Sequence, residues 1–231
     1  MKIFQFKNFS INQSQLVFRV GTDGVLLGAL SRVENAQKIL EVGTGTGLVA
    51  MMLAQRNVTA TILALDISKD AVNLAEENFN KSPFHERLGA KLQDFKNFKS
   101  RNKFDLIISN PPYFKENSSG KDILARQQTE LTFENLIEKS AEQLSKKGQL
   151  SVIIPAESGV EFIEICHKNK LFLSRKVQIF GIKNSSPKRL ILEFGFDQKE
   201  ILEEELTIEK SPRVYSEEYL ELTKDFHHFQ K

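Results

Sequence analysis

Short apolar runs alternate with amphipathic stretches along most of this chain, a pattern that predicts strands separated by helices. Phe104 and Leu106 to Ile108 form an apolar, partly β-branched run, as in a strand buried on both faces of a parallel sheet. Strands are also predicted at Lys38–Val42, Thr61–Asp66, residues 90–94 and residues 150–155. Helices are predicted from Leu48 to about Arg56 and over residues 68–80, with Ser68 as the cap and Ala71, Leu74, Ala75 and Asn78 on spaced faces. A third helix spans 132–146, with Leu136, Ile137, Ala141 and Leu144 on its apolar face and Gly148 ending it; a fourth spans 157–169. Residues 172–180 and 188–196 read as strands joined by a polar turn with no helix between, hence an antiparallel pair. Residues 201–209 suggest a further edge strand and 215–226 a closing helix.

Upstream, residues 3–18 alternate loosely (Ile3, Phe4, Phe6, Phe9, Ile11, Leu16, Phe18), as in a short β-hairpin or a cover. Gly21-Thr22-Asp23-Gly24 then opens a helix running through Leu30, with Asp23 placed to cap it. Such a helix start can bind an anion such as a ligand carboxylate; an ordinary capped helix is the alternative.

At 231 residues the chain has room for one large α/β domain, or one domain with a small extension. Composition is ordinary, with 40% apolar and 27% charged residues. A single cysteine, Cys166, excludes an intrachain disulfide and a cysteine-built metal site, and is most simply a small core residue. No signal peptide and no membrane-length apolar run are evident, so a cytoplasmic location is expected. The net charge of +2 neither demands nor excludes nucleic acid. Locally, residues 160–189 carry seven Lys/Arg against two acids, and residues 193–209 seven acids against one Lys. Compensating pairs on a solvated face are the common outcome of such runs; a basic edge that meets phosphates is the alternative.

Candidate chemistry gathers where predicted strands end. Gly43-Thr44-Gly45-Thr46-Gly47 follows the strand at 38–42 and permits a tight turn with close backbone approach to a ligand. Its spacing is neither that of the dinucleotide fingerprint nor that of the P-loop, whose lysine is missing, which argues against a phosphate ligand. Asp66 ends the next strand 19 residues after Gly47, where a carboxylate can accept hydrogen bonds from a ribose diol. Asp94 could meet an adenine amine or serve simply as a turn residue. Asn110-Pro111-Pro112-Tyr113 ends the strand at 104–109 and presents an amide, a carbonyl and an aromatic ring on a stiff turn. Those groups suit a planar amine; a proline-capped strand with Tyr113 packed at the rim is the plainer alternative. The polar, Gly/Ser-rich residues 115–129 follow directly, as a substrate loop would.

This order of motifs resembles the Rossmann-like S-adenosylmethionine-dependent methyltransferases, and its Asn-Pro-Pro-Tyr resembles enzymes that methylate planar exocyclic or amide nitrogens. The resemblance is closer still to the bacterial tRNA1(Val) (adenine-37) amino methyltransferases. It rests on Phe4-Gln5-Phe6, on Val20 through Gly28, on Ala125-Arg126-Gln127 and on Tyr215-Ser216-Glu217-Glu218-Tyr219. The cofactor motifs are shared by many methyltransferases; the Gly-Thr-Asp-Gly segment and the short N-terminus are more selective.

The resemblance implies an α/β, Rossmann-like class I fold: a seven-stranded, mostly parallel sheet with an antiparallel final strand and helices on both faces. It implies a single domain with an N-terminal cap (1–37), a core (38–196) and a C-terminal extension (197–231). S-adenosyl-L-methionine would be the cofactor and tRNA the partner, with no metal or membrane, and a monomer is expected. Glu41, Gly43, Thr44, Gly45 and Gly47 would form the loop at the methionine and ribose, with Thr22 and Asp23 beside it. Asp66 would hold the ribose, Ile67 would pack on the adenine and Asp94 would face its amine. Asn110 and Pro111, stiffened by Pro112, would accept the target amine's protons, with Tyr113 stacked on its ring. Arg126, Lys183, Lys188 and Arg189 are the candidate RNA contacts. The rival substrates are a protein glutamine, a ribosomal RNA base and a DNA adenine; an inactive cofactor-sensing module is the non-enzyme rival. Residues before 38 leave little room for a helical protein-substrate domain, and no insertion is long enough for a DNA target-recognition domain.

Overall fold

The computed structural model describes residues 2–17, 19–111 and 131–227. The loop expected at 115–129 lies outside them, as do Phe18, Pro112, Tyr113 and Arg126. A hairpin of β1 (Lys2–Gln5) and β2 (Ser10–Gln13) leads into α1 (Thr22–Leu30). Strands and helices then alternate as β3 (Lys38–Val42), α2 (Leu48–Arg56), β4 (Thr61–Asp66), α3 (Lys69–Asn80), β5 (Leu88–Leu92) and β6 (Phe104–Ser109). After the undescribed segment come α4 (Phe133–Gln143), β7 (Leu144–Pro155), α5 (Gly159–Lys168), β8 (Phe172–Ile182) and β9 (Pro187–Gly195). The edge is built by β10 (Leu202–Ser211) and β11 (Val214–Tyr215), followed by α6 (Glu217–Thr223).

Nine strands form one sheet in the order β11-β10-β8-β9-β7-β6-β3-β4-β5. All seven expected strands are present, from β5 across to β8, and β9 is antiparallel to both its neighbours. Two more extend the edge: β10, parallel to β8, and β11, antiparallel to β10. The chain runs outward from β3 through β4 to β5, then returns to β6 and runs the other way. The reversal lies between β3 and β6.

Helices cover both faces, which explains the unbroken apolar runs. Ile39, Leu106 and Ile108 point into one core with α1, α2 and α3 (Leu26, Met51, Ala75), while Leu40, Val42 and Ile107 point into the other with α4 and α5 (Leu136, Phe162). Cys166 belongs to the second core, and burial pushes its thiol far above the usual value.

Two expected boundaries are corrected. The helix drawn to Lys146 stops at Gln143 because Leu144 pairs with Phe104 in the sheet. Gly148 is a strand residue, not a helix stop: a Cβ there would lie 2.6 Å from the Phe104 carbonyl oxygen, so glycine lets β7 close on β6. The closing helix is shorter than drawn, since Tyr215 pairs with Glu209 in the sheet and Ser216 caps α6 instead.

Candidate active site

Val42 sits opposite Leu65 on one side and Ser109 on the other, and Asp66 sits opposite Leu92. The strands β5, β4, β3 and β6 therefore end in one row at the carboxyl edge, at the reversal of strand order, where open α/β sheets bind ligands. With neighbouring strands about 4.8 Å apart, Asp66 and Asn110 stand roughly 10 Å from each other, with the glycine turn between them.

That turn is held from below. The Gly43 and Thr44 N–H groups both donate to the Leu65 carbonyl, at 2.9 and 3.0 Å. Gly43, Gly45 and Gly47 have φ of 79°, 55° and 82°, left-handed values that favour glycine. A Cβ at Gly43 would meet nothing within 4 Å, so the turn has an open face there, whereas one at Gly47 would lie 2.5 Å from the Phe79 ring. Glu41 is buried beneath the turn and its Oε2 accepts the Thr44 hydroxyl at 2.7 Å. Desolvation pushes the Glu41 carboxyl up to about 8, opposed by the Thr44 hydrogen bond and assisted by the nearby Asp66 charge. Asp66 itself accepts the Gly45 N–H on Oδ2 at 3.0 Å and the Ser68 N–H on Oδ1 at 2.9 Å. A carboxylate offers about four lone-pair positions, so acceptor capacity remains for a ligand. Ile67 (59% exposed) and Leu92 (50%) add apolar surface beside it.

Ser109 donates from its hydroxyl to the Val42 carbonyl at 2.9 Å, tying β6 to β3 one residue before Asn110. Asn110 is half-buried and Pro111 buried. Asp94, two residues past β5, accepts the Lys96 N–H at 2.9 Å and has the Lys96 ammonium 3.7 Å from its other oxygen. These contacts give Asp94 the turn role of its two sequence readings and leave the adenine role to a bound cofactor.

Asp23 is not the cap of α1. Gly21 holds that position, and the Asp23 carboxylate instead accepts Arg189 Nε at 2.8 Å. Two residues expected to meet different ligands thus meet each other, with exposed Thr22 beside them. Arg189 lies opposite Pro155 at the carboxyl end of β7, so this pair flanks the row. Lys183 and Lys188 are exposed at the β8–β9 turn on the same edge. Two further members of the basic run are compensated: Arg175 pairs with Glu193 at 3.1 Å and with Glu204, and Lys176 stands 3.6 Å from Glu203.

The sequence reading missed a clamp. Buried Asn78 accepts the Asn12 N–H at 2.8 Å and donates to the carbonyls of Asn12 (3.2 Å) and Thr46 (2.9 Å). It joins the N-terminal hairpin to the glycine turn, and Val17 packs with Ala71 and Leu74 alongside. A polar residue on the apolar stripe of α3 was the available signal. Among the described residues, no group of three or more His, Cys, Asp or Glu is placed to hold a metal, and no helix is long and apolar enough to cross a membrane.

The profile of the methyltransferase small domain matches residues 17–177. The chain is 54% identical over 231 residues, all of both chains, to a tRNA1(Val) (adenine(37)-N6)-methyltransferase of Flavobacteriaceae bacterium (strain 3519-10). To the protein of that name from Bacteroides thetaiotaomicron it is 40% identical, over 97% of this chain and 96% of the other. In structure it is similar to a predicted O-methyltransferase from Agrobacterium tumefaciens, with a TM-score of 0.69 over 88% of this chain and 96% of that one; at 19% identity this likeness concerns the fold. The ends of the chain, outside the profile, are thus shared with full-length relatives, and the chain belongs to the tRNA1(Val) (adenine(37)-N6)-methyltransferase family.

Proposed function

We propose that this protein transfers a methyl group from S-adenosylmethionine to the exocyclic amine of adenine 37, beside the anticodon of a tRNA. The observation that carries the reading is the row in which Asp66, the glycine turn and Asn110 end three adjacent strands. The name of full-length relatives supplies the target. The residues fit the cofactor: the open face at Gly43 admits close approach, Asp66 retains acceptor capacity for a ribose diol, and Ile67 offers an apolar surface to an adenine ring. Thr22 is assigned to the cofactor's carboxylate end; Asp23 is assigned to holding Arg189 in place.

When bound, the cofactor supplies a methyl group on an electrophilic sulfonium, chemistry that needs no Lewis acid. The chain's task is the amine. An adenine amine is a poor nucleophile because its lone pair is delocalised into the ring. The Asn110 side-chain oxygen and the Pro111 carbonyl accept its two hydrogens, which favours pyramidalisation and raises electron density on nitrogen. One of these protons leaves to solvent as the new bond forms. Tyr113, assigned from the motif, stacks on the ring. Fixing amine and methyl in line is the main contribution; well-oriented systems gain roughly 7–11 kcal/mol in this way. An anticodon-loop base is already single-stranded, which lowers the cost of extruding it. Lys183, Lys188 and Arg126 are assigned to the RNA backbone. We read the chain as one domain, acting as a monomer in the cytoplasm.

The test is transfer of labelled methyl to bulk tRNA, ribosomal RNA and protein in parallel. Label confined to tRNA is expected; label in ribosomal RNA or protein would overturn the substrate.

A further inference from the structure

The structure brings together three segments, of which the hairpin and the C-terminal end have no part in the proposed cofactor site and the start of α1 borders it. A cleft of about 370 Å3 is lined by Phe4 from the hairpin, by Gly21 and Thr22 at the start of α1, and by Tyr215, Tyr219 and His227 from the C-terminal end. Its aromatic members lie outside the span of the methyltransferase small domain, yet inside the full-length match to tRNA-modifying relatives. The volume falls within the roughly 300–1,000 Å3 of small-molecule sites.

Its walls are stacking surfaces. Tyr215 is 43% exposed and its ring lies 4.8 Å from that of Tyr219, tilted by 32°. His227 stacks on Phe6 with centroids 5.2 Å apart, and burial lowers its pKa below the usual imidazole value. One exposed cation, Lys183, lies on the same end of the sheet. The Lys183 N–H bonds to the Glu209 carbonyl at 3.2 Å, and Glu209 is the sheet partner of Tyr215, so the Lys183 backbone stands two strands, roughly 10 Å, from that of Tyr215, within reach of an RNA strand that enters the cleft. Exposed aromatic rings, with cations along the backbone's path, are the equipment by which proteins hold single-stranded nucleic acid. The cleft also shares an edge with the active site: Thr22 adjoins Asp23, whose partner Arg189 stands on β9, two strands from Asn110 and hence roughly 10 Å away across the sheet.

We infer that this cleft is a second nucleobase site, which takes an unstacked base of the same RNA a few nucleotides from the target adenine. The inference rests on the proposed tRNA substrate. It assigns Tyr215 as a specificity-determining contact remote from the reacting atoms.

The experiment measures affinity for an unmodified tRNA anticodon stem-loop in wild type, Tyr215→Ala and Tyr215→Phe, with S-adenosylhomocysteine bound, and repeats it on stem-loops made abasic at each loop nucleotide in turn. Tyr215→Ala should weaken binding roughly 5- to 150-fold, the range produced by losing one base–aromatic stack. Tyr215→Phe should restore most of it, cofactor affinity should stay within about two-fold, and the Tyr215→Ala effect should vanish on the stem-loop lacking the partner base. Unchanged RNA affinity, an equal loss on every abasic stem-loop, or weakened cofactor binding would each overturn the inference while leaving methylation of tRNA by the wild type intact. A wild type that methylates no tRNA would overturn the proposed function, and this inference with it.

Discussion

The Gly45 N–H donates to Asp66 Oδ2 at 3.0 Å, joining the glycine turn after β3 to the acid that ends β4. The other Asp66 oxygen takes the Ser68 N–H, so one carboxylate also fixes the start of α3. Asp66 therefore shapes the crevice at the strand ends, which is the site proposed for the cofactor.

Substituting Asp66→Ala should cost about 1.5–3 kcal/mol of S-adenosylmethionine affinity from the charge-assisted bonds alone. Calorimetric titration checks this, and a folded variant with unchanged affinity contradicts the assigned role.

Asn110→Ala should separate binding from chemistry. Cofactor affinity should stay within a few-fold, while the single-turnover rate falls on the order of 10²–10³-fold, as when one preorganised polar group is removed from a reacting atom. A near wild-type rate would show that Asn110 does not act on the amine.

Much of this arrangement is legible in the sequence because strands buried on both faces print as unbroken apolar runs. Ile39 and Leu40 face different cores, yet both must be apolar. The turn after β3, Asp66 and Asn110 can then be placed by counting from strand ends. Long-range pairing leaves no such print. Nothing near Asp23 foretells a partner 166 residues away, and only the sheet's closure brings Arg189 there. Leu144 has the right period for α4 but is claimed by Phe104. The acid-rich β10 reads as a charge run until Glu204 and Glu203 are seen against Arg175 and Lys176.

Glu41 makes stability depend on pH. Its carboxyl is raised from an ordinary 4.5 to about 8 in the folded state, so the native protein holds a proton that the unfolded chain releases. The stabilisation is complete below about pH 4.5 and is lost as pH rises through about 8. Thermal midpoints followed from pH 5 to 9 should fall, and Glu41→Gln should flatten that decline; an equal decline in both proteins would place its cause elsewhere.

Asn78→Ala removes all three bonds of the clamp and strands the buried Asn12 N–H. About 2–3 kcal/mol of stability should be lost, as expected for unsatisfied buried polar groups. The Michaelis constant for the cofactor should rise more than kcat falls, because the loss acts through the glycine turn. Denaturant midpoints together with steady-state kinetics check both; an unchanged Michaelis constant would make the clamp purely structural.

The central claim concerns one atom of one base. Unmodified tRNA1(Val) is incubated with the protein and S-adenosylmethionine, digested with a nuclease and analysed by mass spectrometry. The account predicts a single added methyl on the fragment containing adenine 37, released on further digestion as N6-methyladenosine. Full recovery of unmethylated adenine 37, or a methyl on any other nucleotide, would contradict it.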